Sequence, residues 1–119
     1  MIGLLDTNVA LYLLGGRLAE PLPDGDFGIS VITEMELLAY PTLTAEEEER
    51  VRQFIARLSI CELTPAVRLR AIALRRAERL KLPDAIICAT AIEQGVELWT
   101  NDTRLANVNG LRRRSVRLK

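Results

Sequence analysis

Histidine is absent from the 119 residues. That absence removes Ser-His and Cys-His nucleophilic catalysis, histidine general bases and the common histidine-ligated zinc hydrolases. Any chemistry must therefore come from carboxylates, hydroxyls, arginines or a bound metal. Aromatic residues make up only 4 % of the chain, which argues against recognition by extensive stacking on nucleobases. The two cysteines, Cys61 and Cys88, stand in apolar surroundings with no second cysteine at metal-ligand spacing. They are expected to be buried thiols rather than a disulfide or a zinc site. No stretch approaches the ~20 apolar residues of a membrane span. The acidic Asp6 interrupts the N-terminal apolar run too early for a signal peptide, so a cytoplasmic location is expected.

What is present is an ordinary globular composition, 49 % hydrophobic and 27 % charged, in a chain long enough for a single domain over residues 1–119. Net charge is zero but unevenly spread. Residues 1–65 carry four Arg against eleven acids, and residues 66–119 carry twelve Arg and Lys against five acids. An acidic surface beside a basic one is expected.

The first feature is the run Ile2-Gly3-Leu4-Leu5 ending at Asp6. It reads as a buried strand, followed by a short helix over Val9–Leu14 that Gly15-Gly16 can end. Phe27–Ser30 is a second strand candidate. The helix after it places Val31, Ile32, Met35, Leu38 and Ala39 on one apolar stripe, up to Pro41. Thr44 and Glu47 have the spacing of a capping box. The helix they open buries Val51, Phe54, Ile55 and Leu58, and its acidic first turn suits the helix dipole. Ile60–Leu63 is the third strand candidate. Thr64-Pro65 starts a long helix running through Leu80. Pro83-Asp84 opens a helix that is apolar nearly all round until Gly95, so it is buried on most sides. Val96–Thr100 is a fourth strand, and Leu111–Leu118 contains an edge strand. Strands alternating with helices predict an α/β fold with a parallel sheet covered on both faces.

In such a sheet the carboxyl ends of strands, and the helices that follow, converge on one edge, where ligands bind. Asp6, Asp84 and Asp102 can meet there. Each is also a residue type that caps helices. Several carboxylates packed together repel one another unless a cation offsets them. Mg²⁺ or Mn²⁺ is the expected partner, a hard ion that prefers oxygen ligands, activates bound water and neutralises charge developing on a phosphodiester. A different chemistry, phosphate transfer with Asp6 as nucleophile, would expect a second Asp where Asn8 stands.

Four segments make the pattern specific: Leu4-Leu5-Asp6-Thr7-Asn8, Ser30-Val31-Ile32-Thr33-Glu34-Met35-Glu36-Leu37, Leu82-Pro83-Asp84-Ala85-Ile86-Ile87-Cys88-Ala89-Thr90-Ala91, and Thr100-Asn101-Asp102. In this order they resemble the motifs of the PIN-domain family, and among its small members the VapC toxins of toxin–antitoxin pairs. The resemblance implies a three-layer α/β/α sandwich with a central parallel sheet of four to five strands. It implies an endoribonuclease using Mg²⁺ or Mn²⁺ held by Asp6, Glu36, Asp84 and Asp102. Asn8, Thr33 and Thr100 match polar positions that orient those ligands. Helical periodicity does not choose between Glu34 and Glu36; the match to the motif favours Glu36. The match departs at Thr103-Arg104-Leu105, where many relatives carry a further acid and an aromatic.

The implied partners are RNA, an antitoxin that covers the site, and a second copy of the chain in a homodimer. Candidate phosphate contacts are Arg68, Arg75 and Arg79, spaced to share one face of their helix, and Arg112 and Arg114 in a C-terminal basic cluster. The alternative of another class is a PIN-like module that binds RNA or protein without cutting.

Overall fold

A computed structural model describes all residues 1–119. Five short strands form one sheet: β1 (Gly3–Leu5), β2 (Phe27–Ser30), β3 (Ser59–Cys61), β4 (Glu97–Trp99) and β5 (Arg113–Arg114). Their spatial order is β3-β2-β1-β4-β5, and every pairing is parallel. The helices are α1 (Thr7–Leu14), α2 (Val31–Leu38), α3 (Ala45–Ile55), α4 (Pro65–Glu78) and α5 (Leu82–Gln94), with one 3-10 turn at Thr103–Leu105. No helix is long and apolar enough to cross a membrane.

Alternation along each strand divides the interior into two cores. Leu4 and Leu98 point into a core built with Val67, Ala71 and Leu74 of α4 and Ala85–Ala89 of α5. Leu5, Phe27, Ile29 and Trp99 point the other way, onto Val9 and Ala10 of α1, Leu37 of α2, and Val51 and Ile55 of α3. The result is the three-layer α/β/α sandwich. Both cysteines are buried free thiols, Cys61 and Cys88.

Local signals decide where the helices begin. Asp6 caps α1, Ser30 caps α2, and Thr44 with Glu47 completes a capping box at α3. Thr64 accepts from the Val67 N–H at the start of α4, with Pro65 at its first position. These oxygens satisfy N–H groups that have no partner within the helix. Because Asp6 directly follows β1 and Ser30 is the last residue of β2, α1 and α2 start at the sheet's carboxyl edge without intervening loops.

Three expectations need correction. The apolar stripe of α2 is in a different phase, since Thr33 and Leu37 are buried whereas Met35 is 60 % exposed. With apolar residues on most sides of α2, periodicity alone leaves the phase open, and docking onto the sheet and α1 selects it. Helix α4 ends at Glu78 rather than Leu80. Arg79 takes the left-handed conformation at its C-cap, φ 56°, so it leaves the helical face assigned to Arg68 and Arg75. The edge strand in the C-terminal segment is only Arg113–Arg114.

Gly3 has a packing role that composition does not disclose. The rings of Phe27 on β2 and Trp99 on β4 meet edge to face, with centroids 5.4 Å apart, over the central strand that separates them. A Cβ at Gly3 would lie 2.5 Å from Trp99 Nε1 and 3.0 Å from the Phe27 ring. Gly3→Ala is therefore expected to destabilise the fold by about 1–3 kcal/mol through overpacking, measured by urea denaturation. Arg79→Gly is expected to stabilise it by about 1 kcal/mol, because glycine adopts the left-handed cap without the Cβ clash.

Candidate active site

The sheet reverses its winding at β1. From there the chain moves outward through β2 and β3, then returns to the opposite side of β1 to add β4 and β5. The carboxyl ends of β1 and β4 thus flank a crevice at the point where ligands bind in doubly wound sheets. A cleft of about 430 Å³ opens there. Asp6, Glu36, Asp84 and Asp102 all line it, together with Thr7, Asn8 and Arg104.

Asp6 is held most firmly. Its backbone N–H donates to the Trp99 carbonyl at 3.1 Å, continuing the β1–β4 pairing, and its Oδ1 accepts from the Val9 N–H at 2.7 Å. The residue is 8 % exposed. Burial raises its pKa above the ordinary carboxylate value; the Thr100 side chain and the Val9 N–H oppose that shift, and the Asp102 and Asp84 charges add to it. Asp84 enters from the first turn of α5, a helix whose N-cap, Lys81, makes no side-chain cap bond. Asp102 follows β4, where the Thr100 hydroxyl accepts its N–H at 3.0 Å.

Glu36 reaches the cleft from the last turn of α2, and its Oε1 accepts from the Thr7 hydroxyl at 2.6 Å. Thr7 Oγ1 also lies 3.0 Å from Thr33 Oγ1. A chain of side chains thereby joins α1 to α2 beneath Glu36. Glu34 does not line the cleft. Asn8 stands on the wall, while Thr33 and Thr100 are fully buried under it.

Sequence reasoning passed over two cleft residues. Thr7 sits beside Asp6 and looks like another helix-start residue; its spacing to Glu36 is 29 positions, invisible to local pattern. Arg104 appeared only as a departure from a motif. Its Nε lies 3.0 Å from Asp102 Oδ1, and its Nη2 lies 2.6 Å from Asp102 Oδ2 and 3.6 Å from Asp84 Oδ2. The side-chain hydrogen bond from Arg104 holds the Asp102 carboxyl below its ordinary pKa, only partly opposed by desolvation.

None of the five arginines expected to meet RNA lines this cleft. Arg75 donates to the Leu80 carbonyl, and Arg112 donates to the Gly95 carbonyl at 2.7 Å. Arg114 pairs with Glu97 at 3.4 Å and lies over the Trp99 ring. Arg79 is the α4 C-cap. Arg68 is exposed on α4. Arg75, Arg112 and Arg114 thus have partners within the fold that a one-dimensional charge count does not reveal.

The donor set around the cleft consists of carboxylate, hydroxyl and amide oxygens, which suits a hard divalent cation. Buried Asp6, with two like charges nearby, gains most from one. In the present arrangement no group of three acidic or thiol side chains converges closely enough to hold an ion, and the cation among the acids is the Arg104 guanidinium. Cys88, one turn along α5 from Asp84, offers no thiolate here: burial first, then the acids Asp84, Asp102 and Asp6, push its thiol up to about 12.

The raised Asp6 pKa has a defined consequence for stability. The folded state retains this proton to higher pH than the unfolded chain, so ionising Asp6 opposes folding. The cost is absent below the ordinary value of 3.8 and complete above the raised one. Asp6→Asn keeps a capping oxygen for Val9. In EDTA it is expected to melt a few degrees higher than the parent at pH 7–8 (about 1 kcal/mol), with the gain fading as pH approaches 4. Equal melting temperatures at both pH values would contradict this.

Comparison with known proteins completes the picture. The PIN domain family model matches residues 3–111, and no curated protein matches. Among solved structures, a toxin–antitoxin complex from Klebsiella pneumoniae contains a chain 35 % identical to this one, with 92 % of this chain and 94 % of that chain covered and a TM-score of 0.79. VapBC2 from Rickettsia felis, solved with a promoter DNA fragment, shares the fold at 19 % identity and a TM-score of 0.82, covering 98 % of this chain and 100 % of that one. DNA-bound VapBC from Salmonella typhimurium does so at 21 % identity and a TM-score of 0.81, covering 97 % and 98 %. With the family model spanning nearly the whole sequence and all four acidic motifs meeting in one cleft, this chain belongs to the PIN domain family.

Proposed function

We propose that the protein is a metal-dependent endoribonuclease and the toxin of a type II toxin–antitoxin pair. The observation that carries this reading is the meeting of Asp6, Glu36, Asp84 and Asp102 at the mouth between β1 and β4, in a PIN domain with no histidine. The likeness to a toxin–antitoxin complex at 35 % identity supports the biological setting.

In this reading Asp6, Asp84 and Asp102 hold Mg²⁺ or Mn²⁺, and Glu36 contributes directly or through water. When bound, the ion supplies an activated water and neutralises charge developing on the cleaved phosphodiester. The chain's own residues supply the rest. The Val9 N–H and the Thr100 side chain hold the Asp6 carboxylate at the end of β1. The Thr7 hydroxyl orients Glu36 and is itself positioned by Thr33. Thr100 holds the backbone of Asp102, so that the acid following β4 faces Asp6. Products with 5′-phosphate and 3′-hydroxyl ends are expected from the family.

The antitoxin is the proposed protein partner. An apolar groove of about 260 Å³ runs between α1 and α3, lined by Leu11, Leu14, Leu37, Tyr40, Leu43 and Val51. Leu11 and Tyr40 also line the acidic cleft, so one segment seated in the groove reaches the acids, and an amphipathic helix suits it. Self-association belongs to the same proposal, and Leu69 and Ile72, 71 % and 48 % exposed on α4, are apolar side chains available for it.

The test is incubation of the purified chain with structured RNAs in Mg²⁺, Mn²⁺ or EDTA. Cleavage is expected with either metal and not in EDTA. Asp6→Asn and Asp84→Asn should each lower the rate by at least about 100-fold, and Thr7→Val by about tenfold through loss of Glu36 orientation. Metal-independent cleavage, or full activity in Asp6→Asn, would overturn the mechanism. RNA binding without cleavage under either metal would instead assign the chain to non-cleaving PIN-like modules.

A further inference from the structure

We propose that Arg104 is the resident counter-cation of the acidic cleft, and that a divalent ion binds there by displacing it. The inference rests on the metal-dependent reading above and adds what sets the metal affinity of this chain. The guanidinium makes a two-point contact with Asp102, Nε at 3.0 Å from Oδ1 and Nη2 at 2.6 Å from Oδ2. The same Nη2 reaches Asp84 Oδ2 at 3.6 Å. One cation thus spans two of the acids expected to hold the metal, one on α5 and one after β4.

The 3-10 turn that follows Asp102 builds this contact. Asp102 Oδ1 accepts the Arg104 backbone N–H at 2.9 Å, which folds the chain back so that the side chain returns over its own cap residue. The backbone bond does not involve the guanidinium, so the side chain can leave while the turn persists. It is 64 % exposed, compared with 30 % for Asp84 and 21 % for Asp102. It makes no ion pair with any other residue. Departure from the cleft therefore breaks no ion pair beyond those with Asp102 and Asp84.

Arginine suits this task for a physical reason. Its planar fork takes both oxygens of one carboxylate at once, so a metal entering at Asp102 meets a positive charge already on the same atoms. Observed metal affinity is then the intrinsic affinity reduced by the ion pair that must open first. An exposed two-point pair of this kind corresponds to about a three- to tenfold reduction. The guanidinium also relieves the mutual repulsion of Asp84 and Asp102 in the metal-free protein, which allows a cleft with this charge density to exist before any ion or partner arrives.

The experiment is calorimetric titration of Mn²⁺ into the full chain after removal of metal with EDTA, comparing the parent with Arg104→Gln and Arg104→Lys. Arg104→Gln is expected to bind Mn²⁺ about three- to tenfold more tightly than the parent. Arg104→Lys should fall between them, because an ammonium is a point charge without the fork. Equal or weaker binding by Arg104→Gln overturns the displacement while leaving metal binding by the protein intact. If neither the parent nor Arg104→Gln takes up Mn²⁺, the metal-dependent reading fails as well.

Discussion

Parallel pairing of β1 with β2 on one side and with β4 on the other is the constraint on which the rest of the molecule depends. It places Leu5 beside Trp99 and continues one step further, into the hydrogen bond between the Asp6 N–H and the Trp99 carbonyl. The next residues of both strands then diverge, one into α1 and the other into the Asp102 turn, and the cleft is the space between them. Gly3 makes the arrangement compact by letting Phe27 and Trp99 touch across the central strand. A side chain at that position would push apart the two strands whose ends carry the site.

Electrostatics runs against this geometry. Bringing acids to one sheet edge raises the pKa of Asp6, chiefly by desolvation, and the fold accepts that cost where hydrogen bonds and a counter-charge offset part of it. The Val9 N–H serves Asp6, the Thr7 hydroxyl serves Glu36, and Arg104 serves Asp102 and Asp84. These three supports differ in kind. The first two are neutral donors that orient a carboxylate without competing for a cation, whereas Arg104 is itself a cation and occupies the atoms that a metal would use. A site with destabilising charge at its centre is the expected signature of a structure shaped for binding rather than for stability.

Three helix starts were legible because capping is local: Asp6, Thr44 and Thr64 each accept a backbone N–H three residues ahead. A parallel sheet brings strand carboxyl ends to one edge, which made Asp6, Asp84 and Asp102 candidates together, and the resemblance to the PIN-domain motifs added Glu36. The phase of α2 was not legible, because Val31, Ile32, Met35, Leu37 and Leu38 permit more than one buried face. Nor was the end of α4, where Arg79 adopts a left-handed cap usually given to glycine. Among the arginines, spacing suggested a surface for phosphates, yet Arg75, Arg112 and Arg114 are engaged with carbonyls, a carboxylate and an indole ring. Those partners lie from 5 to 17 positions away, and no helical or strand period predicts them.

The sequence by itself determined the alternation of strands and helices, the caps at Asp6, Thr44 and Thr64, and the exclusion of histidine chemistry. Each of these follows from composition or from interactions within a few residues. The resemblance to the PIN-domain motifs picked out the four acids, Glu36 over Glu34 among them. The tertiary structure lines one cleft with all four and alone decided that Thr7 anchors Glu36 and that Arg104 stands between Asp84 and Asp102. Those choices depend on how α1, α2 and α5 dock on the two faces of one sheet. Docking is set by the summed burial of Leu4, Leu5, Leu98 and Trp99 with their partners across both cores, a quantity distributed along the whole chain and present in no single stretch of it.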